Sequence, residues 1–118
     1  MKNSFYKLLI LFILSQKSLL ADSLNISAKN ITLDKKLQIT IFENEVLIKD
    51  KQNNTIKSEY AKYDKNKNFI ILKRKIVATD KFGNKFFSDN ATYDEKLKVF
   101  KSIGSTKILT KEGYSVDT

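Results

Sequence analysis

Thirty residues separate Asp34 from Asp64 and Asp64 from Asp94, and the same interval separates Lys51, Lys81 and Lys111. In that register Ile31, Ala61 and Ala91 align, as do Leu33, Tyr63 and Tyr93. Apolar residues recur as Ile39/Phe69/Val99, as Ile48/Ala78/Ile108 and as Ile56/Phe86/Val116, and turn formers coincide at Asn53-Asn54, Gly83-Asn84 and Gly113. A gap-free period of this length predicts a chain assembled from one supersecondary unit, each copy burying its apolar face by stacking on its neighbours.

Within the unit the pattern is that of β-structure. Leu37-Gln38-Ile39-Thr40-Ile41 and Thr55-Ile56-Lys57-Ser58 alternate, while Phe69-Ile70-Ile71-Leu72 and Ile76-Val77-Ala78 are rich in β-formers. Residues 50–54, 80–84 and 111–113 have hairpin-turn composition, and a second turn type recurs at 64–68, 34–36 and 94–96. No stretch beyond residue 21 sustains a 3.6-residue period. The expectation is an all-β antiparallel stack with roughly three strands per unit.

The first 21 residues follow a different rule. Lys2 and Lys7 precede the apolar run Leu8 to Leu14, and Leu19-Leu20-Ala21 offers a small residue at a cut. A basic start, a short apolar stretch and a small residue at the end describe a secretory signal peptide. The run is too short for a bilayer, which needs about 20 apolar residues. Cleavage after Ala21 leaves a domain over residues 22–118 with 19 basic and 13 acidic residues, a formal +6.

Composition removes several classes of chemistry. With no cysteine and no histidine the chain has no disulfide, no thiolate or imidazole metal ligand, and none of the usual triads. No glycine-rich phosphate loop exists, and one carboxylate per unit (Asp34, Asp64, Asp94) is too sparse for a calcium shell; turn hydrogen bonding accounts for these aspartates. Neither an enzyme, a metal nor a cofactor is expected. Tyr60, Tyr63 and Phe87 among lysines superficially suggest single-stranded nucleic acid. Arg74 is the one arginine, however, so the planar fork that reads phosphates and bases is nearly missing, and an exported chain rarely meets that ligand.

With the period in register, a family comes into view. Phe42-Glu43-Asn44-Glu45-Val46-Leu47-Ile48-Lys49-Asp50 and Ile56-Lys57-Ser58-Glu59-Tyr60-Ala61-Lys62-Tyr63-Asp64 resemble the organic-solvent-tolerance-type (OstA-like) repeat. Phe87-Ser88-Asp89-Asn90-Ala91-Thr92-Tyr93-Asp94 carries the same acid-x-Ala-x-Tyr-Asp signature. The resemblance covers about residues 26–118; the chain departs from it at Glu43, where members usually have glycine.

The resemblance implies a repeat-built antiparallel β-jellyroll that opens as a V-shaped trough, and a part in lipopolysaccharide transport across a Gram-negative periplasm. Two kinds of member fit: a soluble periplasmic bridge, and the periplasmic N-terminal part of an outer-membrane lipopolysaccharide assembly protein. Thr118 matches Ser58 and Ser88, in mid-repeat, so a fragment of a longer protein with an outer-membrane barrel is expected. A structural or adhesive exported β-repeat, or a piece of an enzyme completed by another domain, are the alternatives from other classes.

A trough of this kind works without covalent chemistry. Moving acyl chains through water costs about 0.8 kcal/mol per CH₂, and an apolar groove lowers that cost. The expected lining is Ile39, Phe69 and Val99; Ile48, Ala78 and Ile108; and Ile56, Phe86 and Val116, with Lys57, Lys85 and Lys107 on the rim. Unpaired strands at the ends of the stack invite edge-to-edge pairing with other β-jellyroll transport proteins. Ile26, Ala28 and Ile31 at one end, and Tyr114 and Val116 at the other, are the expected docking edges.

Overall fold

Aspartates that fold back onto short turns divide the chain into strands. The computed structural model describes residues 24–117; the targeting segment expected over residues 1–21 and the cut expected before Asp22 lie outside the described residues. Asp34 Oδ1 accepts the Leu37 N–H, Asp64 Oδ1 those of Asn66 and Lys67, and Asp94 Oδ1 that of Leu97. Each of these turns ends on a left-handed residue: Gln38, Asn68 or Lys98. At the other strand ends Asp50 and Asp80 accept the backbone N–H groups of Asn54 and Asn84, and Thr110 Oγ1 takes the Tyr114 N–H in the same place. There the left-handed residues are Asn53, Gly83 and Gly113, types that tolerate positive φ.

Between the turns run β1 (Leu24–Ser27), β2 (Asn30–Asp34), β3 (Ile39–Asp50), β4 (Thr55–Asp64), β5 (Phe69–Thr79), β6 (Lys85–Asp94), β7 (Val99–Ser102), β8 (Lys107–Leu109) and β9 (Ser115–Asp117). The described residues are all-β with no helix, and every pairing is antiparallel. They form one open nine-stranded sheet in the order β1-β3-β4-β5-β6-β8-β9, with β2 also paired to β3 and β7 to β6. Two strand expectations change. Leu37 and Gln38 belong to a turn, because Gln38 is left-handed and Leu37 donates to Asp34. Phe69–Leu72 and Ile76–Ala78 are parts of one strand, so 30 residues supply two long strands and not three.

The long strands are interrupted at one level. The register of β3 on β4 shifts between Glu43 and Val46, and that of β5 on its neighbours between Lys73 and Ile76. Asn44-Glu45 and Arg74-Lys75 are left-handed pairs there, and Gly104 holds positive φ in the gap between β7 and β8. Extra residues in one strand bend it sharply. Ser58 and Ser88 sit buried on the facing strands, donating to the carbonyls of Tyr60 and Asn90, the second of which also accepts the Ile103 N–H. Outside the bend Glu59 meets Arg74 and Lys75 at 3.7 and 3.4 Å, exposed pairs that add little stability.

The bend divides the sheet into two leaves. The first comprises β1, Val46–Asp50, Thr55–Ser58, Ile76–Thr79, Lys85–Ser88, β8 and β9; the second comprises β2, Ile39–Glu43, Tyr60–Asp64, Phe69–Lys73, Asn90–Asp94 and β7. Their inner faces share one core, in which Val46, Ile48 and Ile76 of the first leaf cluster with Phe42, Ile70 and Leu72 of the second. The rank Phe42–Ala61–Leu72–Ala91 alternates large and small across neighbouring strands, which lets the facing leaf interdigitate at close-packed density. Ile70 is fully buried while its neighbour Ile71 is 36 % exposed, as the pleat requires. Ile70→Ala is expected to cost about 2–5 kcal/mol and Ile71→Ala roughly 1 kcal/mol or less, measured by urea denaturation. Equal losses would contradict the assignment of faces.

Candidate functional site

Strand register assembles one continuous apolar rank across the first leaf. Ile26 pairs with Ile48, Ile48 with Ile56, Ile56 with Ala78, Ala78 with Phe86, Phe86 with Ile108, and Ile108 with Val116. Two of the three ranks expected from the sequence are thus a single ladder running from one edge of the sheet to the other. On the second leaf the corresponding rank is Leu33–Thr40–Tyr63–Ile70–Tyr93–Phe100.

Between β1 and β5 the leaves close on each other, and Ile48 and Ile70 are sealed in the core. Toward the C-terminal strands they part. Ile56, Ala78 and Phe86 from the first leaf face Tyr93 and Phe100 from the second across an open cavity of about 690 Å³. Asp50, Lys51 and Asp80 from one set of turns and Lys98 from the other border its mouth. The cavity therefore has apolar walls and a charged rim, the arrangement suited to an amphiphile with an apolar tail. Among the described residues no three carboxylates gather as metal ligands.

The expected lining residues divide between two faces. Ile56, Ala78 and Phe86 line the cavity, Ile48 is core, and Ile108 and Val116 extend the ladder to the C-terminal edge. Ile39, Phe69 and Val99 do share a rank, but it is the one that also holds Asp64 and Asp94, one residue out of phase with Tyr63, Ile70, Tyr93 and Phe100. Alternation places them on the outer face, where Val99 is 50 % exposed. Lys57 and Lys107 likewise pair with Leu47, Val77 and Phe87 on the outside of the first leaf, and Lys85 pairs with Thr79 one residue out of phase with the apolar rank. Lys51 and Lys98 are the lysines at the mouth.

Tyr93 and Phe100 line the cavity without having been expected to, and Ile70 and Tyr63 share their inner face. Their signal was present: Tyr63 and Tyr93 stand in the Ala-x-Tyr-Asp signature, two residues beyond the buried Ala61 and Ala91 and thus on the same face. Tyr63 donates to Glu95 Oε1 at 3.0 Å, closing the space beside the second row of turns. Burial, then this hydrogen bond and the negative charge of Glu95, push the Tyr63 hydroxyl well up. Burial and the charges of Asp50, Glu95 and Asp94 also raise the Tyr93 hydroxyl at the cavity wall.

The expected docking residues all lie at the two open edges. Ile26 and Ile31 are in β1 and β2, Ala28 is half-buried between them, and Val116 is in β9 with Tyr114 in the turn before it. Ile31, Tyr114 and Val116 are exposed.

No protein-family model matches the chain, and no curated protein matches it in sequence.

The rim aspartates give the site a pH signature. Burial pushes the Asp80 carboxyl up, but the Asn84 side chain and the N–H groups of Asn84, Phe82 and Gly83 outweigh it and hold it below its ordinary value of 3.8. Asp50 is held down in the same way by Asn54 and Gln52, with Lys98 assisting from across the mouth. A depressed folded-state value means that the stabilisation is complete above the unfolded-state value and is lost as pH falls through the folded one. The stability gap between the native chain and Asp80→Ala is expected to stay constant from neutrality to about pH 4.5 and to narrow below about pH 4, read by urea denaturation. A gap independent of pH would contradict the ionised cap.

Proposed function

We propose that the chain is a non-catalytic lipid carrier of the OstA-like kind, built of 30-residue units as a β-jellyroll whose two leaves open as a V-shaped trough. Its cargo is lipopolysaccharide, carried by the lipid A acyl chains through the periplasm of a Gram-negative cell after export by the signal peptide over residues 1–21. The observation that carries this reading is the apolar ladder from Ile26 to Val116, which reaches both edges of the sheet and widens into the cleft of Ile56, Ala78, Phe86, Tyr93 and Phe100.

Repetition supports it independently. Left-handed residues recur at 38, 68 and 98 and at 53, 83 and 113, the bends at 44–45 and 74–75, and the turn caps at Asp34, Asp64 and Asp94 and at Asp50, Asp80 and Thr110. The ladder carries apolar side chains from the cleft to the C-terminal edge at Ile108 and Val116, so a tail held there is kept from water along that path. Each methylene kept from water is worth about 0.8 kcal/mol. The open edges β1/β2 and β9/β7 extend that track to a further β-jellyroll by strand pairing, whether the chain serves as a soluble bridge or as the periplasmic part of an outer-membrane assembly protein.

Photo-crosslinking amino acids at Phe86 and Tyr93 are expected to capture lipopolysaccharide in cells, while those at Phe69 and Val99 on the outer face are not. All four positions lie on the same pair of leaves, so a comparison at equal protein levels separates the two faces. Equal yields from both faces, or none from the cleft, would overturn the trough.

A further inference from the structure

Two rows of turns cap the outer ends of the leaves, with residues of turns 50–54 and 80–84 and Lys98 at the cleft itself, and hydrogen bonds hold each row together from turn to turn. In the row 34–38, 64–68 and 94–98 the Lys65 N–H donates to Gln38 O at 3.0 Å and the Glu95 N–H to Asn68 O at 2.9 Å. In the row 50–54, 80–84 and 110–114 the Lys81 N–H donates to Asn54 Oδ1 at 2.8 Å and the Lys111 N–H to Asn84 Oδ1 at 2.9 Å.

Leu37, Phe82 and Leu97 protrude from these rows, 58 %, 63 % and 70 % exposed. None of them contributes to the core. Each has lysines at its base: Lys35 and Lys36 beside Leu37, Lys96 and Lys98 beside Leu97, and Lys81, whose ammonium lies 5.3 Å from the centre of the Phe82 ring. The six turns carry nine lysines. Against them stand seven acids (Asp34, Asp50, Asp64, Asp80, Asp94, Glu95 and Glu112), a net +2; the aspartates are turned to turn N–H groups and Glu95 is buried with Tyr63, so the lysines reach farther out than most of these carboxylates.

An apolar side chain that projects with cations at its base is what an interfacial anchor requires. The tip enters the boundary between headgroups and acyl chains, and the ammonium groups stay level with the phosphates. A protein partner would need a contiguous packed patch, whereas Leu37, Phe82 and Leu97 stand on three separate turns in two rows. A fluid lipid surface accepts separated points. We infer that the mouth of the cleft docks on an anionic phospholipid bilayer, with Leu37, Phe82 and Leu97 entering the interface and the turn lysines meeting lipid phosphates. The docking brings the open cleft against the surface from which an acyl chain would enter or leave. It does not depend on which lipid the cleft carries.

The test is co-sedimentation of the chain from Asp22 onward with vesicles of phosphatidylcholine alone and of phosphatidylcholine with phosphatidylglycerol. Binding is expected to the mixed vesicles only and to weaken as ionic strength rises. Leu37→Ser, Phe82→Ser and Leu97→Ser together are expected to reduce it by about tenfold or more. These side chains are exposed, and an unchanged denaturation midpoint verifies that the triple variant is folded. Lys57→Gln with Lys107→Gln, on the outer face of the first leaf, is expected to leave binding nearly unaltered; vesicle binding reads the docking alone and crosslinking from the cleft reads the cargo, so the two readings fail separately. No binding to the mixed vesicles, binding indifferent to the three tips, or binding abolished by the outer-face pair would each overturn the inference.

Discussion

A sheet with one apolar face must hide that face, and this chain hides it by bending. Left-handed pairs at Asn44-Glu45 and Arg74-Lys75 break the long strands at a common level, and Gly104 stands at the same level in the gap between β7 and β8. Such conformations are unfavourable for residues other than glycine. They persist because the bend lets Val46, Ile48 and Ile76 pack onto Phe42, Ile70 and Leu72, an interior that neither leaf makes alone. Buried Ser58 and Ser88 accompany the bend, where their hydroxyls find acceptors in the carbonyls of Tyr60 and Asn90 two residues on. The cleft is the part of the same interior where the leaves have diverged, so the fold and the site have a common origin.

Conformation and chemistry are divided cleanly along each strand. Turn positions carry the aspartates, asparagines and lysines; bend positions carry polar and charged pairs; inner positions between them are apolar with few exceptions, among them Thr40, Ser58 and Ser88. The acid-x-Ala-x-Tyr-Asp signature condenses this plan into a few residues. Ala61 and Ala91 leave room for Phe42 and Leu72, Tyr63 and Tyr93 face the interior, and Asp64 and Asp94 close the turns. A change at any of these three positions disturbs a different level of the structure: packing, lining or strand termination.

The period in the sequence made the turns, their caps and the antiparallel all-β class legible, since Asp34, Asp64 and Asp94 mark strand ends by their chemistry alone. It did not make the faces legible. Residues aligned 30 apart share a face whatever that face is, so Ile39, Phe69 and Val99 form a true rank on the wrong side. Counting across the bend fails for the same reason. The odd-numbered long strands insert two residues there and keep their alternation, whereas β4 and β6 insert one, at Glu59 and Asp89, and reverse it. Nothing in the pattern of β4 announces that Ile56 and Ala61, five residues apart, point the same way. The union of Ile48/Ala78/Ile108 with Ile56/Phe86/Val116 into one ladder likewise required the register.

The proposed cargo site places an acyl chain between the leaves and not on their outer surface. Methyl-resolved NMR of the isoleucine-labelled protein, titrated with a short-chain acyl amphiphile, reads this directly, because isoleucines mark both faces. Saturable shifts at Ile56 and Ile108, with Ile39 and Ile71 unmoved, are the result the account predicts. Shifts centred on Ile39 and Ile71, or none at Ile56 at saturating amphiphile, would contradict it.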